Sequence, residues 1–392
     1  MRRFALLLAV AAAIAPVTPP VRAQQLLEWT PKEIDAVGQH GPWPPNPVRD
    51  PTNRVSGNPA AIALGRALFF DPRLSGREAA CSACHLPSLG WSDGNKRGHG
   101  AVELDRRTPS LWNVGFRKWF GWDGSADSLW MQSIRPITDA REMAGSVERT
   151  AKLLREDATL ACGYRKAFGE APAGPDEKLM VDAAKALAAF QETLVTPRTP
   201  FDDFRDALVR GDRAAATRYP VDAQRGLKLF IGTGNCSACH FGPTFTNGEF
   251  GDVGIPFFVR PGEVDNGRFG GIERLQASPY NLLGRFNDDP SPASSVRTRH
   301  VEKQHRNFGE FRVPGLRQVG RSGPYMHDGS VAKLEDVVTH YSEVSPDRLH
   351  SDGVPIVRAL GLSAGEKGDL IAFLRSLDTD IPTLPPAPTV CP

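Results

Sequence analysis

Cys81-Ser82-Ala83-Cys84-His85 recurs letter for letter as Cys236-Ser237-Ala238-Cys239-His240. In a C-x-x-C-H motif the two thiols add to the two vinyl groups of a heme, and the adjacent histidine is placed to ligate the iron from one side. A redox dithiol or a zinc site is the alternative, but one zinc site would need ligands from both copies to converge. We therefore predict two covalent c-type hemes with His85 and His240 as proximal iron ligands. Their thioether anchors are predicted to be Cys81, Cys84, Cys236 and Cys239.

The surroundings of the motif are repeated as well. The matching segments are residues 65–69 with 226–230, 109–114 with 314–319, 122–125 with 327–330, and 189–194 with 372–377. The chain therefore looks like two related heme domains. The second copy holds about 50 additional residues between His240 and Pro314, with many Gly, Asn, Arg and Asp and little periodicity. We predict that this insertion forms loops wrapped over the second domain.

The composition is that of an ordinary globular chain of 392 residues, 40% hydrophobic and 23% charged, with a formal net charge of +2. This length suffices for two domains of about 150–200 residues each. The chain has too many hydrophobic residues to be disordered. It also lacks the excess of basic residues with which a protein binds nucleic acid. Short helical patterns joined by long loops favour a mainly α fold of two class I cytochrome c-like domains, each with one heme.

Residues 1–23 have the pattern of a secretory signal. Arg2 and Arg3 precede an apolar run over residues 4–17, and Val21-Arg22-Ala23 has small residues where a signal peptidase cuts. The run is too short to span a membrane, although a retained N-terminal anchor is the alternative. No later apolar stretch approaches the length of about 18 residues that a membrane span needs. We therefore expect export, in a bacterium to the periplasm, and no membrane span.

The expected organisation after the signal is an N-terminal domain at 24–210, a C-terminal domain at 211–380 and a Pro-rich tail at 381–392. Two cysteines, Cys162 and Cys391, remain after both hemes are counted. In an oxidising compartment they could pair, although Cys391 near the C-terminus could equally be free.

The residue on the other face of each iron decides between an electron carrier and an enzyme. Two filled axial positions give an electron-transfer heme, whereas an open position admits peroxide or oxygen. For the second heme the candidate ligands are Met326, His327, His340 and Tyr341. When Trp122 is aligned with His327, Tyr341 falls on Pro136, and proline cannot ligate iron. We therefore expect the first heme to lack a ligand at this position.

Two polar residues near Pro136, Gln132 and Glu142, are candidates for contact with a bound oxidant. A carboxylate in a heme pocket can accept a proton from one peroxide oxygen and deliver it to the other. The alternative is that Gln132 is a capping or surface residue and Glu142 a solvated acid.

The ordered set of both C-x-x-C-H copies, Trp122-Asp123-Gly124, Gln132, Pro136, Glu142-Met143 and Pro324-Tyr325-Met326-His327-Asp328-Gly329 resembles the bacterial diheme cytochrome c peroxidase / MauG family. The resemblance runs from about residue 65 to residue 377. It implies that hydrogen peroxide reacts at the N-terminal heme, whose distal side is lined by Gln132, Pro136 and the catalytic Glu142. It also implies that Trp122 relays electrons between the hemes.

The second heme separates the subfamilies. Where ordinary peroxidases of the family carry a Met, the MauG type carries a Tyr, and the matching position is Tyr341. A phenolate is a hard anionic donor that lowers the potential, whereas a thioether favours ferrous heme. The resemblance thus implies a MauG-like enzyme that oxidises a protein substrate. A peroxidase that takes electrons from a small cytochrome c or cupredoxin, a diheme electron carrier, and ligation by His340 or Met326 remain alternatives.

Two positions depart from the family pattern. Family members bind calcium between the domains through an Asn side chain and two backbone carbonyls, which map to Arg107, Ser322 and Pro324. A guanidinium has no acceptor oxygen and repels a cation, so calcium is in doubt, and Arg107 could replace its charge. His99 lies near the place of a distal histidine in other peroxidases, and is either a ligand of the first heme iron or an exposed loop residue.

Two further histidines receive different predictions. His327 is expected to order the second heme pocket by hydrogen bonding, because it occupies a family position before Asp328-Gly329. His40 lies in a polar stretch and is expected to face solvent.

Overall fold

The computed structural model describes residues 25–47, 49–256, 258–345, 354–386 and 390–391. The predicted secretory signal, residues 1–23, lies outside the described residues. The α-helices of the described ranges are α1 Pro31–Gly38, α2 Pro59–Phe69, α3 Cys81–Cys84, α4 Leu129–Thr138, α5 Val147–Glu156, α6 Ala158–Phe168, α7 Asp176–Gln191, α8 Pro200–Val209, α9 Arg213–Ala216, α10 Val221–Ile231, α11 Arg268–Ala277, α12 Pro292–Arg299, α13 Leu334–Glu343 and α14 Ala364–Arg375. In these ranges no helix has both the length and the apolar character that a membrane crossing requires.

Extended structure is confined to two small antiparallel pairs in the part of the chain that is described. The strands are β1 Phe250–Gly251, β2 Phe258–Arg260, β3 Glu263–Val264 and β4 Phe311–Arg312. β1 pairs with β4, so that Phe250 lies opposite Arg312, and β2 pairs with β3. The prediction of a mainly α chain is confirmed.

Two crossing helices, α2 and α7, form the centre of the first half. The helix α2 begins where Asn58 accepts a hydrogen bond from the backbone N–H of Ala60 at 2.9 Å, with a proline at the first helical position. Gly65 lets the helices touch, since a Cβ there would lie 1.9 Å from the carbonyl oxygen of Ala186. Phe69 of α2 then packs against Phe190 of α7, with ring centroids 5.3 Å apart.

The second half repeats this arrangement with α10 and α14. Gly226 occupies the place of Gly65, and a Cβ there would lie 1.9 Å from the carbonyl oxygen of Asp369. Phe230 packs against Phe373 with a centroid distance of 4.9 Å. Ser363 and Glu366 form a capping box that begins α14. The sequence repeat therefore corresponds to a repeated helix pair, in which burial of each phenylalanine contributes about 1.5–3 kcal/mol.

Each helix pair lies in an apolar core. The residues that form each core do not follow the predicted domain boundary between residues 210 and 211. The first core takes side chains from α2, α4, α5, α6 and α7. The second takes them from α1, α8, α10, α13 and α14. Val37 of α1 and Phe201 of α8 thus pack in the second core, although both lie before residue 211. Ile381 and Leu384 of the tail pack against the first core.

The insertion after His240 differs from the prediction of loops over the second domain. It contains α11 and α12, and its residues Leu275 and Leu282 are buried in the first core. The helix α11 was not predicted because charged and small residues surround its few apolar residues, which weakens the helical periodicity.

A disulfide joins Cys162 of α6 to Cys391, with a Cα–Cα distance of 6.2 Å. Of the two alternatives left by the sequence, the structure has the paired one. The bridge ties the end of the chain to the first half, where Lys166 also donates a hydrogen bond to the carbonyl oxygen of Val390.

Candidate functional site: two C-x-x-C-H motifs and the cavity between them

The first motif forms the short helix α3, and its histidine is held in a single orientation. Nδ1 of His85 lies 2.9 Å from the carbonyl oxygen of Trp91, a fully buried residue with a positive φ of 61°. Because a carbonyl only accepts, Nδ1 carries the proton and Nε2 keeps its lone pair. The ring is thereby prepared to bind a metal through Nε2, the arrangement that metal-binding histidines commonly show.

The second motif repeats this geometry. Nδ1 of His240 lies 3.0 Å from the carbonyl oxygen of Phe245, which is also buried and has a φ of 55°.

His40 stacks on Phe245 with ring centroids 4.5 Å apart and is 2% exposed, so the prediction that it faces solvent was wrong. Burial lowers the pKa of His40 to about 4. The long-range contact between residues 40 and 245 left no local signal in the sequence.

The four thiols of the motifs are unpaired and in surroundings unlike those of a redox dithiol. None of them is in a disulfide. Burial raises the pKa of Cys81 to about 12 and that of Cys236 to about 11, whereas a reactive dithiol has a lowered pKa. Within the described ranges, no three His, Cys, Asp or Glu side chains are grouped to hold a metal ion. Partly buried neutral thiols beside a histidine with a free Nε2 fit a covalent heme.

The helix α4 and the segment after it bring Pro136 and Glu142 together. Ser128 caps α4 by accepting a hydrogen bond from the N–H of Met131 at 3.2 Å. Pro136 lies inside the helix, and the chain then folds back, since the N–H of Met143 donates to the carbonyl oxygen of Pro136 at 3.1 Å. Residue 142 therefore returns to the turn of α4 that holds Pro136.

Glu142 is a partly buried carboxyl on the side of the first motif. Burial raises its pKa, and Arg135, whose Nη2 lies 3.6 Å from Oε1, opposes the rise. The charge of Glu142 also contributes, after burial, to the raised pKa of both Cys81 and Cys84. The carboxylate thus lies close enough to the first motif for its field to act there.

Two polar side-chain atoms of α4 are buried without a hydrogen-bond partner among the described residues. They are Oε1 of Gln132 and Nε of Arg135. Buried polar atoms are nearly always paired in native proteins, so orphaned ones indicate a bound group or water. Both atoms could therefore bind a polar group that enters beside α4.

His99 lies on an exposed hairpin next to the first motif. Its side chain is 61% exposed, Nδ1 lies 3.0 Å from the carbonyl oxygen of Arg97, and Nε2 lies 4.0 Å from the carboxylate of Glu103. Its own carbonyl oxygen lies 3.6 Å from Sγ of Cys84. The backbone is thus near the motif while the ring is turned toward other partners.

Tyr341 on α13 faces the second motif. Burial raises the pKa of its phenol, and the thiols of Cys236 and Cys239 add to the rise, which requires them to be close. The neighbouring His340 is engaged elsewhere, with Nε2 2.8 Å from the carbonyl oxygen of Val253.

The other two candidate ligands of the second heme differ in burial. His327 is 5% exposed and stacks on Phe311 with centroids 3.5 Å apart. Its carbonyl oxygen accepts a hydrogen bond from the N–H of Arg107 at 2.9 Å. Met326 is partly exposed.

Trp122 lines a cavity of about 290 Å³ between the two motifs. The other walls include residues 89–90 of the loop after His85 and residues 241–244 of the loop after His240. Nε1 of Trp122 donates to the carbonyl oxygen of Arg107 at 3.0 Å, and its own carbonyl accepts from the N–H of Arg312 at 2.8 Å. The indole is thus fixed by the first half, and the backbone of Trp122 by the second.

The profile of the di-haem cytochrome c peroxidase family matches residues 59–211. The methylamine utilization protein MauG of Methylorubrum extorquens is 38% identical over 350 residues, 87% of this chain and 84% of that protein. The chain belongs to the diheme cytochrome c peroxidase / MauG family. A cytochrome-c peroxidase of Denitromonas iodatirespirans is 32% identical over 358 residues, which cover 88% of this chain and 87% of that protein.

Solved structures agree with this membership. The crystal structure of a MauG-like protein associated with microbial copper homeostasis superposes with a TM-score of 0.61 at 26% identity, covering 86% of this chain and 95% of that one. As a member of the diheme peroxidase family, the protein is a heme-dependent peroxidase, an oxidoreductase, and the family implies two heme groups.

The calcium that the family resemblance implied between the domains does not fit the residues present here. Nη2 of Arg107 donates to the carbonyl oxygen of Ser322 at 2.7 Å, and this carbonyl is one of the two that the resemblance assigned to calcium. Arg107 is 7% exposed, so its positive charge is confined to that place. A fixed guanidinium excludes a second cation by repulsion and occupies an oxygen ligand.

Proposed function

We propose that this peroxidase is an exported, periplasmic diheme c-type enzyme of the MauG type. It uses hydrogen peroxide at the N-terminal heme and a second heme ligated by His240 and Tyr341 to oxidise a protein substrate. The observation that carries the proposal is that the Tyr341 phenol lies near enough to the thiols of Cys236 and Cys239 for their charges to raise its pKa. The secretory pattern of residues 1–23 supports export.

The cofactor arrangement follows from the two motifs. Cys81 and Cys84 would hold the first heme by thioether bonds, and Cys236 and Cys239 the second. His85 and His240 would bind the irons through Nε2. We assign class I cytochrome c-like units to the predicted ranges 24–210 and 211–380, with the tail at 381–392, although α1 and α8 pack in the second core. When bound, the first heme supplies the iron at which the O–O bond of peroxide is broken.

Glu142 moves the proton in this reaction. Burial raises the pKa of its carboxyl, which brings it closer to the working pH of a general acid and base. It accepts a proton from one peroxide oxygen and delivers it to the other, which leaves as water. The unpartnered Oε1 of Gln132 accepts a hydrogen bond from the peroxide. Pro136 offers no ligand, so this face stays accessible to peroxide, and His99 stays a surface residue in the working enzyme.

Trp122 serves as the electron relay between the two hemes. Its position on the cavity between the two motifs supports this role, as does its fixation by Arg107 and Arg312. A rigid aromatic ring between two redox groups shortens each electron-transfer step.

A second candidate function is a cytochrome c peroxidase that detoxifies peroxide with electrons from a small cytochrome c or cupredoxin. The 32% identity to a protein named cytochrome-c peroxidase favours it. Pro136 argues against a diheme electron carrier, since such a protein needs both irons fully ligated.

Peroxide consumption with and without an electron donor separates the two functions. A MauG-type enzyme would react with one equivalent of peroxide in the absence of donor. It would keep the two oxidising equivalents until it oxidises a protein side chain. A detoxifying peroxidase instead turns over many equivalents with reduced cytochrome c. Rapid multiple turnover with that donor, and no oxidation of added tryptophan-containing protein, would assign the second function.

A further inference from the structure

Two arginines from different halves meet at the cavity between the motifs. Arg117 follows the short helical turn Val114–Phe116 in the first half, and Arg312 belongs to β4. Both line the cavity of about 290 Å³. Arg312 is 3% exposed and Arg117 is half-buried, so neither charge is well solvated.

Neither guanidinium has a carboxylate partner among the described residues. Arg117 donates through Nη2 to the carbonyl oxygens of Ser110 at 2.9 Å and Trp112 at 3.4 Å. Arg312 donates through Nε to Gly121 at 3.1 Å and through Nη1 to its neighbour Val313 at 3.5 Å, again to carbonyl oxygens. Each arginine therefore retains N–H donors that these contacts do not use.

Two other buried arginines of the same chain have carboxylate partners. Arg317 pairs with Asp202 at 2.8 Å, and Arg106 pairs with Asp265 at 2.6 Å. The carboxylate whose charge acts on Arg312, Asp123, already pairs with Arg106. Arg117 and Arg312 differ from these pairs in that they donate to carbonyl oxygens alone.

This arrangement is unfavourable without an anion. Burying an unpaired charge is costly, and two like charges close together add repulsion. Burial lowers the pKa of Arg117, and the charge of Arg312 lowers it further, which requires the two guanidiniums to be neighbours. An anion between them would remove both penalties.

We propose that Arg117 and Arg312 bind the propionate carboxylates of the hemes. Heme carries two such carboxylates, and the loops after both proximal histidines border the cavity. A guanidinium donates two parallel hydrogen bonds to a planar carboxylate, which matches the unused donors. Arg117 donates to the carbonyl oxygen of Ser110, whose hydroxyl donates at 2.6 Å to the carbonyl oxygen of Gly90 in the loop after His85, which assigns this arginine to the first heme. The inference rests on the two covalent hemes of the proposed function.

Redox titration of the complete diheme protein tests the pair. Arg117→Gln and Arg312→Gln are compared with Arg285→Gln, whose side chain is 73% exposed and pairs with Glu177 outside the cavity. Loss of a positive charge beside a propionate favours ferric iron, so the midpoint potential of at least one heme falls in each cavity variant. Arg117 affects the first heme. The control keeps both potentials, and heme staining checks that both hemes stay attached.

Equal potentials in the cavity variants and the control would overturn the proposal. If the glutamine variants do not fold, the resonance Raman propionate band of the wild-type protein decides, since N–H donors make it shift in D₂O. A band that does not shift contradicts a direct contact. If instead the potentials change on adding phosphate or acetate, the arginines hold a free anion and the proposal fails. None of these readouts uses peroxide, so failure of the peroxidase function is recognised separately.

Discussion

Nη2 of Arg107 donates a 2.7 Å hydrogen bond to the carbonyl oxygen of Ser322 and so connects the two halves of the chain beside Trp122. The guanidinium supplies a fixed positive charge at the place where the family resemblance implied calcium. We predict that treatment with a chelator leaves the melting temperature and the reaction with peroxide unchanged. Differential scanning calorimetry and stopped-flow absorbance before and after chelation check this.

The matched variant for this prediction is Arg107→Asn, which restores an acceptor oxygen and removes the charge. It is expected to be less stable than wild type and to regain stability with added calcium. Loss of wild-type activity on chelation, with recovery on adding calcium, would show that a calcium site exists despite Arg107.

Gly226→Ala is predicted to destabilise the protein by about 1–3 kcal/mol or more, because the new Cβ would lie 1.9 Å from the carbonyl oxygen of Asp369. Gly368→Ala is the control on the partner helix α14. It meets no atom within 4 Å and is expected to stabilise the protein by about 0.5–1 kcal/mol. Denaturant unfolding of the heme-loaded protein measures both, and equal stabilities would mean that α10 and α14 do not cross at Gly226.

Glu142→Gln keeps the size of the side chain and removes its ability to carry a proton. We predict a reaction with peroxide about 100-fold slower, because general acid–base catalysis typically contributes at least that factor. Stopped-flow absorbance of the hemes follows the reaction. Glu103→Gln, on an exposed carboxylate beside His99, serves as control and retains the wild-type rate. A Glu142 variant as fast as this control would remove the catalytic role.

Tyr341→Met is predicted to raise the midpoint potential of the second heme, since a thioether favours ferrous iron more than a phenolate does. Spectroelectrochemical titration gives the value. His340→Gln should leave the potential unaltered, because the ring of His340 is directed to the carbonyl oxygen of Val253. The reverse result, a change with His340 and none with Tyr341, would make the histidine the ligand.

The sequence was informative where chemistry depends on local spacing. The C-x-x-C-H letters locate His85 and His240, and the repeated glycines and phenylalanines mark the crossing helices because close approach and ring packing need those residue types. The alignment of Pro136 with Tyr341 predicted that the first heme lacks a ligand at the position where the second heme has a candidate. These signals lie within short segments, so no knowledge of the tertiary structure was required.

Other features depend on contacts that a pattern does not contain. The carbonyls of Trp91 and Phe245 that orient the histidines are backbone atoms, which any residue type could supply. Burial of His40 and the meeting of Arg117 with Arg312 join residues far apart in the chain. Leu275 packs in the first core although it lies in the second half.

Electron paramagnetic resonance of the resting protein, before and after one equivalent of hydrogen peroxide, tests the central claim most directly. We predict one high-spin ferric signal from the heme of His85 and one low-spin ferric signal from the heme of His240 and Tyr341. Both signals should decrease together on adding peroxide, because Trp122 couples the two hemes. Two low-spin signals that do not respond to peroxide would contradict the claim.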